Sequence, residues 1–354
     1  MSVPPQSFYK TQRYPFWRRL PVGIGLILLL TIAGAIGLLA AGKLVQARLA
    51  SQTPPPGRLI DVGGYRLHLD CRGTVTFGQP TIVLEAGLGE SSLTWAGLMP
   101  LLSERHRVCA YDRAGYGWSE SRPEAPTAAA TAADLYALLQ RSGEPGPFVM
   151  IGHSLGALYV RFFTHQYPEA VAGLVLIDPA HEEMTTRLPV EWQQQLDSAN
   201  QERVSALRIP IALVDLGIAA ILPAVAPPVD PRLPAAAQAN LRALHSMSSR
   251  VLHALGAEIS ASDAILAEAR AARLGDLGAR PLVVISAGHD DQTTPSGPYP
   301  AVLSFDPHQE ITALSSRGLR IKLGESGHYV HYDQPLQVVD AIDWAMAQVP
   351  QARP

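Results

Sequence analysis

Hydrophobic and polar positions fall into three regimes along this chain. Residues 20–42 form one unbroken apolar run, with no charged residue and Thr31 as its sole polar side chain. At the helical rise this run would reach about 34 Å, enough to cross a hydrocarbon core of roughly 30 Å. From residue 58 onward, short β-rich runs at 65–70, 81–85, 107–111, 148–151, 174–177, 282–286 and 319–323 alternate with stretches of helical periodicity. Several runs are almost wholly apolar, as parallel strands covered on both faces should be. The alternation predicts a doubly wound α/β sheet over 58–180 and 281–350. The third regime is 181–280, far longer than an ordinary crossover. Leu, Ala and Val recur there at helical spacing around a proline-rich break at 222–234, which predicts an inserted helical lid.

The apolar run reads as a transmembrane helix behind an N-terminal tail, residues 1–19. A cleaved secretory signal would need a shorter apolar core and a small-x-small cleavage site. Lys10, Arg13, Arg18 and Arg19 precede the run and Lys43, Arg48 and Arg58 follow it, a slight bias toward a cytoplasmic N-terminus with the rest of the chain outside. The stretch 43–57, ending in SQTPPPG, reads as an extended, proline-rich linker. Cys71 and Cys109 are compatible with one disulfide in such a compartment, but two buried free thiols are the plainer reading.

Charge narrows the partner. With 28 Lys and Arg against 31 Asp and Glu, the net charge is −3, and no basic cluster offers a nucleic-acid surface. A small or neutral ligand fits better.

Chemistry concentrates at 149–158, VMIGHSLGAL, where an apolar strand runs into G-x-S-x-G and then into a helical stretch. That context is what a nucleophile elbow requires, with the serine on a tight turn and glycines where neighbouring backbones crowd it. A serine hydroxyl is a poor nucleophile near neutral pH and needs a histidine base oriented by a carboxylate.

Together with this elbow, two further segments resemble the α/β-hydrolase superfamily, in particular its lid-bearing serine esterase and haloperoxidase-like group, over roughly residues 58–350. YDRAGYGWS at 111–119 is similar to the D-R-x-G-x-G-x-S segment, and EAGLG at 85–89 stands where many members carry an HG-containing oxyanion loop, with Ala86 in place of the histidine. The resemblance implies a mostly parallel eight-stranded sheet and the chain order Ser, acid, His, with Ser154 as nucleophile. It places the base at His328, in GESGH after the last strand, with His331 as competitor. It places the acid at Asp291, in AGHDDQTTP after the 282–286 strand; Asp290 and Asp178 are the alternatives. Backbone N–H groups of Leu88 and Leu155 would form the oxyanion hole.

The remaining candidates have plainer readings. His328 and His331 form an HxxH pair, but no third ligand stands at metal-binding spacing, so neither metal nor cofactor is expected. Glu85 and Asp112 are read as ion-pair partners of Arg113, His153 as a packing and hydrogen-bonding residue, and Trp95, Trp118 and Tyr159 as core or pocket lining. The expected function is hydrolysis of a small, apolar ester or related acyl compound at a membrane. Amidase, peptidase or lyase chemistry on the same fold, or a non-catalytic binding protein, are the alternatives.

Overall fold

A computed structural model describes residues 20–288 and 305–350. The apolar run begins helix α1 (Leu20–Gln52), whose side chains from Gly23 through Leu38 are exposed. Among the described residues, eight strands form: β1 (Arg58–Asp61), β2 (Arg66–Arg72), β3 (Thr81–Glu85), β4 (Val108–Tyr111), β5 (Phe148–His153), β6 (Val171–Ile177), β7 (Leu282–Ala287) and β8 (Gly318–Leu323). They form one sheet in the order β1-β2-β4-β3-β5-β6-β7-β8, in which only the β1–β2 and β2–β4 pairs are antiparallel. The expected doubly wound, mostly parallel sheet is present. The strand the sequence did not announce is β1, a four-residue edge whose residues are exposed or half-buried and carry no apolar run.

Helices cover both faces. Along β3, Val83 packs toward α3 (Ala128–Ser142) and α4 (Leu155–Gln166), while Ile82 and Leu84 pack toward α2 (Met99–Ser103) and α12 (Pro335–Gln348). Thr127 starts α3 by accepting the Ala130 N–H on its hydroxyl at 3.1 Å, and Gly143 ends it with a φ of 75°. Two short helices, α10 (Pro307–Thr312) and α11 (Val330–Asp333), flank β8.

Between β6 and β7 the chain departs into α5 (Val190–Ala206), α6 (Arg208–Asp215), α7 (Ile218–Ile221), α8 (Ala235–Met247) and α9 (Arg250–Ala272). The last of these is rooted in the core through Ile265, Leu266 and Ala269.

Two findings revise the sequence reading. The linker expected from residue 43 is helical as far as Gln52, because Gly42, Val45, Gln46 and Leu49 form one face that packs on the insertion. Gln46 is buried there and donates to the carbonyls of Val214 at 2.7 Å and Ser246 at 3.1 Å. Cys71 and Cys109 form a disulfide, because the antiparallel β2–β4 register sets them directly opposite one another with Cα atoms 4.0 Å apart.

Candidate active site

The C-terminal end of β5 turns sharply into α4, and the turn residue is Ser154, with φ 53° and ψ −122°. Few non-glycine residues hold such a conformation; it costs roughly 1–3 kcal/mol that the surrounding packing must offset. The flanking glycines supply the room. A Cβ on Gly152 would lie 2.6 Å from Ala157 Cα, and one on Gly156 would lie 2.4 Å from the Ala86 carbonyl. Either side chain would force helix and strand apart.

His328 follows β8, and its Nε2 lies 3.0 Å from Ser154 Oγ. Its Nδ1 lies 2.7 Å from Oδ2 of Asp178. A carboxylate can only accept, so Nδ1–H donates to Asp178 and Nε2 is free to accept the serine proton. The carboxylate at the imidazole thus belongs to the third candidate named from the sequence. The first, Asp291, and its neighbour Asp290 lie outside the described residues.

Asp178 reaches His328 for a local reason. It ends β6 with a φ of 43°, its N–H donates to the Ile285 carbonyl at 2.7 Å, and its Oδ1 accepts the Ala287 N–H at 2.9 Å. Those contacts to the last turn of β7 aim the side chain across that strand toward the loop after β8. Burial alone would raise its pKa, but the hydrogen bond and charge of His328 prevail and hold it below the ordinary carboxylate range. Asp178 is therefore an anion.

His331, the competing base, is buried, with Nε2 3.2 Å from Thr94 Oγ1. Burial, together with nearby His153, pushes its pKa far down. His153 is wholly buried; its Nε2 lies 3.0 Å from the His328 carbonyl oxygen and its Nδ1 3.2 Å from Glu90 Oε2. Glu90 also accepts the Gly87 N–H at 2.9 Å. The pair so joins the loop after β3 to the loop carrying His328. Glu90, His153 and His331 place ligand-type atoms within 4.8 Å of one another, a grouping that spacing along the chain does not reveal.

The loop after β3 carries Leu88, and Leu155 is the first residue of α4, so its N–H has no acceptor within the helix. On the other side of Leu88, the Gly89 N–H donates to Glu258 of α9 at 3.2 Å. Glu258 also meets Arg113 at 3.1 Å, and Arg113 meets Glu85 at 2.8 Å, with all three side chains at most 5% exposed. Tyr116 and Tyr159 donate to Glu258, and Tyr111 donates to Glu85. Arg113 is thereby fixed between carboxylates, as expected for Glu85. Asp112 is not its partner: it accepts the N–H groups of Ser92 at 2.6 Å and Trp118 at 2.9 Å and faces His68. Glu258 is the residue sequence reasoning missed, since nothing in a lid helix marks one glutamate as a core ligand. Trp95 and Tyr159 are core residues, and Trp118 donates its indole N–H to the Thr53 carbonyl at 3.0 Å.

Comparison with known proteins agrees with this architecture. Residues 80–216 match the family model for the alpha/beta hydrolase fold. Curated relatives include an uncharacterized vacuolar membrane protein of Saccharomyces cerevisiae, 36% identical over 135 residues, 34% of this chain and 21% of that protein. Another is the uncharacterized protein YqjL of Bacillus subtilis, 36% identical over 100 residues, 28% of this chain and 40% of that protein. The chain thus spans about a fifth of the first relative and two fifths of the second. Among solved structures, Cfl2 of Burkholderia cenocepacia is similar with a TM-score of 0.58 at 24% identity, over 81% of this chain and 94% of that one. The enol-lactonase of Burkholderia xenovorans is similar with a TM-score of 0.57 at 18% identity, over 82% of this chain and 100% of that one. The family model over 80–216 and these solved structures show that the chain has the alpha/beta hydrolase fold.

Proposed function

We propose that this protein is a membrane-anchored serine hydrolase that cleaves an ester, or a related acyl bond, of a small apolar substrate. The observation that carries the proposal is the unbroken line from Asp178 Oδ2 through His328 to Ser154 Oγ, with contacts of 2.7 and 3.0 Å. His328 takes the Ser154 proton as Oγ attacks the carbonyl carbon, and the N–H groups of Leu88 and Leu155 hold the oxyanion. Collapse breaks the acyl–oxygen bond, His328 protonates the departing alcohol, and an acyl-enzyme remains. Water, deprotonated by His328, then releases the acid and restores Ser154. Asp178 orients the imidazole and balances its charge throughout.

The alpha/beta hydrolase match and the resemblance to an enol-lactonase support hydrolysis in general. Helix α1 is long and apolar enough to cross a bilayer, which supports the anchor. A cross-strand disulfide supports a catalytic domain on the extracytoplasmic side, where such bonds persist.

A fluorophosphonate probe should label the wild type and leave Ser154→Ala unlabelled; equal labelling, or none on the wild type, refutes the reading. Asp178→Asn should lower kcat by about 10⁴-fold, the scale of losing a triad carboxylate. Asp291→Asn should leave it within a few-fold. The opposite pattern would move the acid to Asp291. Nitrophenyl acylates, amides and lactones distinguish esterase from amidase and lyase chemistry by their products.

A further inference from the structure

The anchor helix is built into the lid. Gly42, the last residue of the charge-free run, lies against Gly217, so that a Cβ on Gly42 would be 2.6 Å from the Gly217 carbonyl oxygen. A run of this length matches the thickness of a hydrocarbon core to within a few ångströms. If residues 20–42 span the bilayer, Gly217 therefore sits at its surface.

The chain around Gly217 suits that depth. Residues 216–229, LGIAAILPAVAPPV, hold no charged side chain, and Asp215 and Asp230 bracket them. Leu216, Ile221 and Leu222 expose 44%, 39% and 52% of their surface, and Leu38 and Leu44, on either side of Gly42 in α1, are exposed as well. A patch of large aliphatic side chains against the end of a membrane helix is the composition that partitions into an interface. The far end of the same stretch lines a cavity beside the loops that carry Leu88 and His328. Pro228 and Val229, with Leu233 and Leu244, line this cavity together with Glu90, Asp230 and Gly89 and Tyr329, the chain neighbours of Leu88 and His328.

We propose that residues 216–229 seat the lid in the bilayer surface and that the site draws its substrate from there, an ester with a long acyl or alkyl chain. The proposal rests on the anchor and hydrolase readings above. The charge-free stretch runs from the bilayer end at Gly217 to the cavity wall at Pro228 and Val229 and gives a long chain aliphatic side chains to follow between the two.

The test uses the full chain in phosphatidylcholine vesicles. A nitrobenzoxadiazole label on Leu222→Cys should be quenched at least about twofold by doxyl-labelled lipid, as expected of an interfacial site. The same label on Glu169→Cys, at the opposite end of α4 from Ser154, should not be quenched. An unquenched Leu222 label on a chain whose α1 resists carbonate extraction overturns the lid seat; extraction by carbonate refutes the anchor instead. In kinetics, the pair Ile221→Glu and Leu222→Glu should lower kcat/KM on a vesicle-embedded long-chain nitrophenyl ester by about tenfold, through KM, with nitrophenyl acetate within about twofold. Equal loss on both esters overturns delivery from the bilayer. Absence of hydrolysis on either ester by the wild type refutes the hydrolase reading and leaves the quenching result to decide the lid seat.

Discussion

His153 has an oxygen acceptor at each ring nitrogen, Glu90 at Nδ1 and the His328 carbonyl at Nε2. A neutral imidazole carries one N–H, so one of those contacts would set lone pair against lone pair. The arrangement therefore calls for an imidazolium. Burial by itself would lower the pKa of His153, but Glu90 outweighs it and the net shift is upward. Burial likewise would raise Glu90, yet His153 carries it down to about 2. A raised histidine stabilises the fold below its unfolded pKa, about 6.5, and that contribution is lost as pH rises through the folded value. A lowered glutamate contributes above about pH 4.3 and is lost as pH falls toward about 2. His153→Gln should thus cost about 3 kcal/mol near pH 6, as breaking a buried pair does. In urea titrations across pH the difference from wild type should shrink as pH rises; a difference that does not change with pH would mean a neutral His153. At this scale Ser154 and His328 were legible because the elbow and the GESGH loop are local patterns. Asp178 was not readable as the partner of His328, because its reach depends on the Ile285 carbonyl and the Ala287 N–H, which belong to another strand.

Among the elements, α1 differs most from its sequence description. Lys43 and Arg48 end the apolar run, but the residues around them remain good helix formers, and the buried face at Gly42, Val45, Gln46 and Leu49 gives the extra turns something to pack on. Only the folded lid supplies that surface, so the proline-rich signal was placed too early. Gly42→Val should separate α1 from α7, break the two Gln46 hydrogen bonds and cost about 2 kcal/mol, within the range for overpacking. Faster proteolysis in 222–234 and a lower Tm would register it. Gly34→Val is the matched control, since a Cβ there meets nothing within 4 Å, and should change neither readout.

At the scale of the whole molecule, the parallel core was legible from its apolar strands, whereas the β1 edge and the disulfide depend on antiparallel register and were not. Cys71 and Cys109 close a loop with a sequence separation of 38. On chain-entropy grounds their loss should cost about 4 kcal/mol. Cys71→Ser with Cys109→Ser should lower the denaturant midpoint by a corresponding amount, and reductant should do the same to the wild type only. A midpoint unmoved by either treatment would show thiols.

Glu258 bears on how far this protein could be simplified. Its carboxylate belongs to the insertion, yet it shares Arg113 with Glu85 and holds the Gly89 N–H. Trimming the chain to a lidless sheet would leave Arg113 Nε and the Tyr116 and Tyr159 hydroxyls without their acceptor inside the core, and the loop after β3 without one of its two carboxylate tethers. The insertion is thus a structural organ of the hydrolase-fold domain, and any minimal version of this protein, evolved or engineered, has to retain α9 whatever becomes of α5 to α8.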